Sequence, residues 1–164
     1  MNHIDLAEVY EEYFPKIYNF IFFKVMHRET TEDLVSMVFL KVVDKFDTYN
    51  PEKGAISTWL FAIAQNVITD YFRSRKVSVS LDDLDYLEPV VSFEEQSSLI
   101  EDETRRSLYD ALTELDGRTR DIIAQKYFMD KSIRKIAEEK QMNESTVSSI
   151  HNRGLAKLRK IIER

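Results

Sequence analysis

The segment SIRKIAEEKQMNESTVSSIHNR, residues 132–153, predicts two helices joined by a short turn. Ser132 is placed to cap the first helix, because a hydroxyl at that position accepts a hydrogen bond from a free backbone N–H. A turn over residues 141–143 follows, and Asn143 is placed to cap a longer helix over residues 144–162. Two helices joined by a turn of three or four residues form a helix-turn-helix motif.

Polar side chains fill the first turns of the second helix, which in this motif enters the major groove of DNA. They are Glu144, Ser145, Thr146, Ser148, Ser149, Asn152 and Arg153. Short polar groups followed by a longer donor suit base edges and phosphates. From Thr146 to Arg164 there are five basic residues and one acidic residue, so this part of the chain has a positive field. A basic amphipathic helix that only packs against its neighbour would show the same pattern, and the motif alone leaves both interpretations open.

Charge is divided unevenly along the 164 residues, although the formal net charge is only −6. Residues 1–76 carry 9 basic and 11 acidic side chains, residues 77–104 carry 9 acidic and no basic ones, and residues 105–164 carry 14 basic and 9 acidic ones. This distribution predicts a first domain, an extended and mobile acidic connector, and a basic second domain. The absence of cysteine excludes a disulfide framework, thiolate metal sites and cysteine nucleophiles.

Helical periodicity runs through the first 76 residues. Apolar residues at steps of three and four predict a helix over residues 6–25, with a break or kink at Pro15. A second helix is predicted to open at Thr30, and a third to follow the loop over residues 47–54. The chain contains only three Gly and three Pro, which argues against β-sandwiches, β-barrels and Gly-rich phosphate-binding loops. The predicted fold class is all-α, with two small helical domains joined by a flexible acidic linker and a helix-turn-helix in the second.

Two groups of motifs, in this order along the chain, resemble the bacterial RNA polymerase sigma factors. TEDLVSMVFLKV at residues 31–42 and TWLFAIAQNVITDYFR at residues 58–73 are similar to the first conserved domain of that family. LTELDGRTRDII at residues 112–123 and the helix-turn-helix are similar to its second domain. The small extracytoplasmic-function type fits best, because it has only these two domains. The resemblance implies a first domain over residues 1–76, an acidic linker over 77–98 and a helix-turn-helix domain over 99–164.

This resemblance implies a promoter-specificity subunit that binds core RNA polymerase and promoter DNA and catalyses no reaction of its own. The helix matching residues 32–46 would dock on the polymerase through Asp33, Leu34, Val38, Phe39 and Lys41. The loop and third helix would read the minus-ten element through Tyr49, Asn50, Lys53, Asn66, Asp70, Arg73 and Lys76. The recognition helix would read the minus-thirty-five element through Ser145, Thr146, Ser149 and Arg153, with Lys157 on phosphate. The chain departs from the family pattern in its turn, where Gly is common and Gln141 or Met142 stands.

Alternative interpretations remain open for some of these residues and for the whole chain. Leu34, Val38 and Phe39 are equally well explained as core, and the polar face of the third helix as a solvated surface. A stand-alone helix-turn-helix regulator that acts without polymerase is the alternative function. An enzyme is poorly supported, because the three His are scattered and no nucleophile motif is present. We expect no cofactor, no metal, no membrane insertion and a cytoplasmic location.

Two expectations concern regulation. An anti-sigma protein, which is common in the family, would clamp between the two domains. The free chain is expected to become compact, with the basic second domain drawn toward the acidic connector and its DNA-binding surface masked.

Overall fold

Two groups of α-helices make up the protein, whose computed structural model describes residues 4–75 and 101–163. Within those two ranges there are seven α-helices, one 3-10 turn and no β-strand, so the all-α prediction is confirmed for the described chain. The predicted linker over residues 77–98 lies outside the described residues. The helices are α1 (Leu6–Val25), α2 (Arg28–Lys45), α3 (Ile56–Arg75), α4 (Glu103–Thr113), α5 (Gly117–Tyr127), α6 (Ile133–Lys140) and α7 (Glu144–Ile162).

The first group, α1 to α3, packs around one aliphatic and aromatic core. α1 is continuous through Pro15, so a break at that residue is wrong, while the alternative of a kink stays a prediction. Pro15 lies on the exposed side of the helix, where the carbonyl left without an N–H partner can face water. Val9 before it and Ile17 after it are both buried, at 4% and 0% exposure, which keeps both halves of the helix on the core.

The start of α2 differs from its prediction. The helix begins at Arg28, and His27 rather than Thr30 is its N-cap. The Thr30 backbone N–H donates to Nδ1 of the His27 ring over 3.2 Å, and the Thr31 hydroxyl donates to the His27 carbonyl over 2.6 Å. Histidine is outside the usual set of capping residues, which is why the pattern placed the helix start too late.

The second group, α4 to α7, contains the segment predicted as a helix-turn-helix, in which a short turn joins α6 to α7. Ile122, Ile136, Ala137 and Val147 form a small core beneath α6 and α7. Arg120 is 2% exposed and donates to the carbonyls of Leu112, over 3.2 Å, and Leu115, over 2.5 Å, at the end of α4. Because the last carbonyls of a helix have no intrahelical partner, this guanidinium ties α5 to the end of α4.

The two groups pack directly against each other, and α1 contacts α5. Ala124 of α5 belongs to the core of the first group, and Met26, just after α1, is fully buried in a cluster with residues of the second group. The described residues are therefore compact. The predicted approach of the second domain to the acidic connector stays a prediction, because most of that connector lies outside the described residues, and the polar side chains at the start of α7 are exposed.

Candidate nucleic-acid interface

The turn between α6 and α7 is built as the sequence predicts, with one difference. The Ser132 hydroxyl accepts a hydrogen bond from the Lys135 N–H over 3.0 Å, so the predicted cap of α6 is confirmed. Gln141 ends α6 in the left-handed conformation at φ 55°, the position where the family often has Gly. Asn143 occupies the N-cap position of α7, but its side chain makes no capping hydrogen bond.

The polar side chains of α7 share one exposed face. Glu144, Ser145, Thr146, Ser149, Asn152, Arg153 and Lys157 are exposed, and Ser148 is half-buried. On the opposite face Val147, Gly154 and Leu158 are buried, with His151 beside them at 8% exposure. Ile162, the last residue of α7, is 51% exposed. The helix therefore presents to solvent the side chains that suit base edges and phosphates.

A close approach of α5 holds α7 in place. A Cβ atom added at Gly154 would lie 2.5 Å from Cγ2 of Thr119 and 3.0 Å from Cδ1 of Ile123, so only glycine fits at this crossing. Thr119 is itself fixed, because its backbone N–H donates to the N-cap carboxylate of Asp116 over 2.8 Å. The position of α7 against α5 is thus set by the close approach of these two side chains to Gly154.

A cleft of about 450 Å³ lies between the start of α5 and the polar face of α7. Three cationic side chains line it, those of Arg118, Arg153 and Lys157, together with the acidic residues Glu114 and Asp116. The Lys157 ammonium donates to the Glu114 carbonyl over 2.7 Å, which holds the charge at the edge of the cleft. The sequence pattern did not single out Arg118, because only the packing of α5 against α7 brings it beside Arg153. Three cations beside a polar helix face suit a phosphate backbone.

A second polar face lies on α3. Asn66, Asp70 and Arg73 are all exposed, as expected from their spacing of four and three residues along the helix. Arg73 and Asp70 approach to 3.9 Å with both side chains more than half exposed, so the pair is weak and both groups can contact a ligand. Lys76, the last member of this predicted set, lies outside the described residues.

The loop before α3 is held by its own side chains. The Tyr49 ring packs against Trp59 at 5.3 Å between centroids, and its hydroxyl donates to the Gly54 carbonyl over 3.0 Å. The Asn50 side-chain oxygen accepts the Glu52 N–H over 2.9 Å. Tyr49 and Asn50 therefore shape the loop, and Lys53 is its exposed predicted contact.

The predicted docking residues on α2 divide into buried and accessible ones. Leu34, Val38 and Phe39 are 3%, 0% and 8% exposed and pack in the core of the first group, which agrees with the alternative interpretation of these residues as core. Asp33 is exposed and Lys41 half-buried. The sequence pattern did not single out the apolar residues on the outer side of the helix, Met37, Leu40 and Val43, at 46%, 70% and 58% exposure. Exposed apolar side chains in a helical row are typical of a protein-binding surface. We name Asp33, Met37, Leu40, Lys41 and Val43 the outer α2 surface.

The part of the chain that the structure describes contains no cluster of three or more His, Asp or Glu side chains that could hold a metal ion. No helix in the same residues is both long enough and apolar enough to cross a membrane.

Comparisons with known proteins match both halves of the chain. The family model for sigma-70 region 2 matches residues 9–77, and the model for sigma-70 region 4 matches residues 111–160. The chain is 28% identical over 162 residues to the ECF RNA polymerase sigma factor SigX of Bacillus subtilis, covering 94% of this chain and 82% of that one. It is 23% identical to the ECF RNA polymerase sigma factor SigM of the same organism, covering 97% and 96%.

A solved structure has a similar fold. It is the sigma factor RpoE of Bartonella quintana, crystallised in complex with the anti-sigma factor NepR. The match has a TM-score of 0.67 at 20% identity and covers 97% of each chain. At that identity the match supports the fold.

Proposed function

This chain belongs to the sigma-70 family of RNA polymerase sigma factors, of the extracytoplasmic-function type, and we propose that it binds core RNA polymerase and directs it to specific promoters. The observation that carries the proposal is the presence of two exposed polar faces, one on α3 and one on α7, in a single chain. A stand-alone regulator needs only the face on α7, so the face on α3 and the match to region 2 favour the sigma factor.

The face on α7 is proposed to read the minus-thirty-five element in duplex DNA. Ser145, Thr146 and Ser149 lie in the first two turns, the part of a recognition helix that meets base edges. Arg153 is long enough to donate two hydrogen bonds to a guanine or to contact a phosphate. Arg118 and Lys157 flank it in the cationic cleft and are proposed to bind phosphates.

The face on α3 and the preceding loop are proposed to bind the minus-ten element as the duplex opens. Asn66 and Asp70 offer hydrogen-bonding groups to the edges of unpaired bases, while Arg73 and Lys53 offer charge to the backbone. Lys76 would extend the same charge. Tyr49 and Asn50 are assigned a supporting role, because their polar groups already bond within the loop.

The outer α2 surface is proposed to dock on core RNA polymerase. Asp33 and Lys41 supply charge that can set the orientation of the docked helix, and Leu40 is a large apolar side chain that is 70% exposed. An apolar centre bordered by charge is the usual composition of a specific protein interface.

The proposal also covers the role and the location of the chain. The chain acts as an initiation factor and not as an enzyme, and it works in the cytoplasm, where polymerase and promoter DNA are. Its domains are residues 1–76 and 99–164, joined by the acidic linker 77–98.

An anti-sigma protein is a further proposed partner, because the similar factor RpoE was crystallised with one.

The proposal is tested with purified core RNA polymerase. We expect the chain to be retained by immobilised core polymerase and to direct run-off transcription from a subset of a random promoter pool. A recovered consensus with two separate elements would support the roles of both faces. If the chain binds duplex DNA with one element but is not retained by polymerase, the proposal is wrong and the stand-alone regulator is the better interpretation.

A further inference from the structure

A buried imidazole ring connects the end of α5 to the polar face of α7. His151 of α7 is 8% exposed, although its ring is polar. Its Nε2 atom lies 3.2 Å from the hydroxyl oxygen of Tyr127, the last residue of α5, and its Nδ1 atom lies 3.1 Å from Oδ1 of Asn152. The Tyr127 and His151 rings are stacked at 24°, with centroids 5.7 Å apart. The three side chains therefore form one hydrogen-bonded chain, which we name the Tyr127–His151–Asn152 relay.

Asn152 is the end of the relay that can meet DNA. It is exposed and shares one face of α7 with Ser145 and Ser149, which precede it by seven and three residues. An asparagine that reads DNA usually pairs with adenine, because its carbonyl accepts from the N6 amino group while its amide N–H donates to N7. This pairing requires both ends of the side-chain amide to face the base. Asn152 does not offer both ends, because its oxygen lies against the His151 ring.

The direction of each hydrogen bond in the relay follows from what each group can do. An amide oxygen only accepts, so Nδ1 of His151 carries the proton that is donated to Asn152. A neutral imidazole has one donor and one acceptor nitrogen, so Nε2 is the acceptor and the Tyr127 hydroxyl donates to it. With its oxygen held by His151, the Asn152 amide presents its two N–H donors on the side away from that ring.

His27, at the start of α2, provides an internal contrast. Its Nδ1 atom accepts the backbone N–H of Thr30 over 3.2 Å, and a backbone N–H can only donate. A neutral His27 ring therefore carries its proton on Nε2, whereas the relay requires the His151 proton on Nδ1. The two ring forms occur in the same molecule and can be compared in one measurement.

We propose that Tyr127 and His151 are positioning residues that hold the Asn152 amide with its N–H donors toward DNA, so that Asn152 selects guanine rather than adenine in the minus-thirty-five element. Guanine presents two acceptors in the major groove, O6 and N7, whereas adenine presents one acceptor and the N6 donor. A side chain that offers only donors suits guanine and meets the N6 amino group of adenine donor to donor. The base preference rests on the proposed function of α7, whereas the ring form of His151 does not.

The ring form of His151 is measured in the full chain by long-range ¹H–¹⁵N correlation spectra at alkaline pH, where imidazole rings are neutral. We expect the proton of His151 on Nδ1 and that of His27 on Nε2. Tyr127→Phe removes the hydroxyl but keeps the ring, and it should move the His151 proton partly to Nε2. Tyr10→Phe is the matched control, because it removes a hydroxyl from a tyrosine of α1 that is 47% exposed, and it should leave the His151 signals unchanged. A His151 proton on Nε2 in the parent protein, or His151 signals that Tyr127→Phe does not alter, would overturn the positioning role.

Base preference is measured with the polymerase complex, by sequencing the templates that direct run-off transcription from a pool randomised in the minus-thirty-five element. Asn152→Ala identifies the base position that Asn152 contacts, because the preference at that position should fall by on the order of 10-fold. We expect guanine at that position for the parent protein and for Tyr10→Phe. His151→Phe keeps a ring in the buried space but frees the Asn152 amide, so the preferred base should change from guanine to adenine. Tyr127→Phe should reduce the ratio of guanine to adenine, because part of the His151 population then accepts from the Asn152 amide.

Three results would overturn the proposed selection: adenine in the parent protein, no position that responds to Asn152→Ala, or an unchanged guanine preference in Tyr127→Phe. Tyr127→Phe decides the outcome if circular dichroism shows that His151→Phe is unfolded, because Tyr127 is 58% exposed and its ring is retained. Failure of the parent chain to bind core polymerase would overturn the proposed function and leave the ring form of His151 standing. The base preference is then measured by selection of duplex DNA with the full chain alone, with the same expected and contrary results.

Discussion

Replacement of Gly154 by Ala is the most direct test of how the recognition helix is held. In an open helix interior this change stabilises a protein by about 1 kcal/mol, because Ala loses less backbone entropy on folding than Gly. At Gly154 the added Cβ would lie 2.5 Å from Cγ2 of Thr119 and 3.0 Å from Cδ1 of Ile123. Overpacking of a well-packed contact costs typically 1–3 kcal/mol.

The balance of these two effects depends on whether the neighbours can move. The Cδ1 atom of Ile123 is the end of a flexible side chain and can give way at small cost. Thr119 is β-branched, and its backbone N–H bonds the Asp116 carboxylate, so its methyl group cannot rotate away freely. We therefore expect the clash to outweigh the helix gain and Gly154→Ala to destabilise the protein by up to roughly 2 kcal/mol.

Urea unfolding followed by circular dichroism measures this change, provided that the slope against urea stays the same. Thr119→Ser removes the clashing methyl group and keeps the hydroxyl, so the double variant should recover at least about 1 kcal/mol relative to the sum of the single changes. Gly54→Ala is the control, because its Cβ would meet nothing within 4 Å. A Gly154→Ala variant as stable as the parent, with no coupling to Thr119, would refute the close-contact explanation.

Three further perturbations test the proposed interfaces and the electrostatics. Leu40→Asp should weaken retention by core polymerase at least about 10-fold. It should lower the free energy of unfolding by less than about 0.5 kcal/mol, because the side chain is 70% exposed. Ala62→Asp is the matched change at an exposed residue of α3, and an equal loss of retention in that variant would contradict a specific role for Leu40. Arg153→Ala should weaken binding to the minus-thirty-five element by roughly 1–3 kcal/mol and relax the preference at one base position in a competition assay. An equal loss of affinity on every DNA sequence would mean that Arg153 contacts phosphate. Burial raises the pKa of Asp116, but hydrogen bonds from the backbone and hydroxyl of Thr119 lower it more. The ionised carboxylate of Asp116 therefore stabilises the fold above about pH 4, and this contribution is lost as pH falls through the lowered pKa. Asp116→Asn keeps a capping oxygen without the titration, so its urea midpoint should fall less steeply between pH 5 and pH 2 than that of the parent, and identical slopes would count against this role.

Helix capping shows how local chemistry limits prediction. The hydroxyl of Ser132 is a common N-cap group, and α6 begins where the sequence predicts. The start of α2 was missed because His27, an uncommon cap, accepts the Thr30 N–H. The break at Pro15 was also wrong, because the penalty of a proline depends on whether the freed carbonyl is buried, and Pro15 lies on the exposed side of α1.

Helix α2 shows a second limit. Its apolar stripe was recognised, and the sequence left Leu34, Val38 and Phe39 open as docking contacts or as core; in the structure these residues are buried in the core. Periodicity identifies an apolar face without saying which of two apolar rows meets the protein interior. Leu40 and its neighbours could have been found as apolar residues that lie outside the stripe.

The sequence by itself determined the all-α class, the helix-turn-helix, the polar face of α7 and the spacing of Asn66, Asp70 and Arg73 on α3. These features depend on periodicities of three and four residues and on caps within a few positions along the chain, which are local. Tertiary structure alone decided the place of Arg118 beside Arg153, the crossing at Gly154, and the pairing of Lys24 with an Asp121 that lies 97 residues later. From sequence alone, a charged residue is expected to lie at the solvated surface. The partner that compensates its burial is brought to it only by the packing of helices that are distant in the sequence.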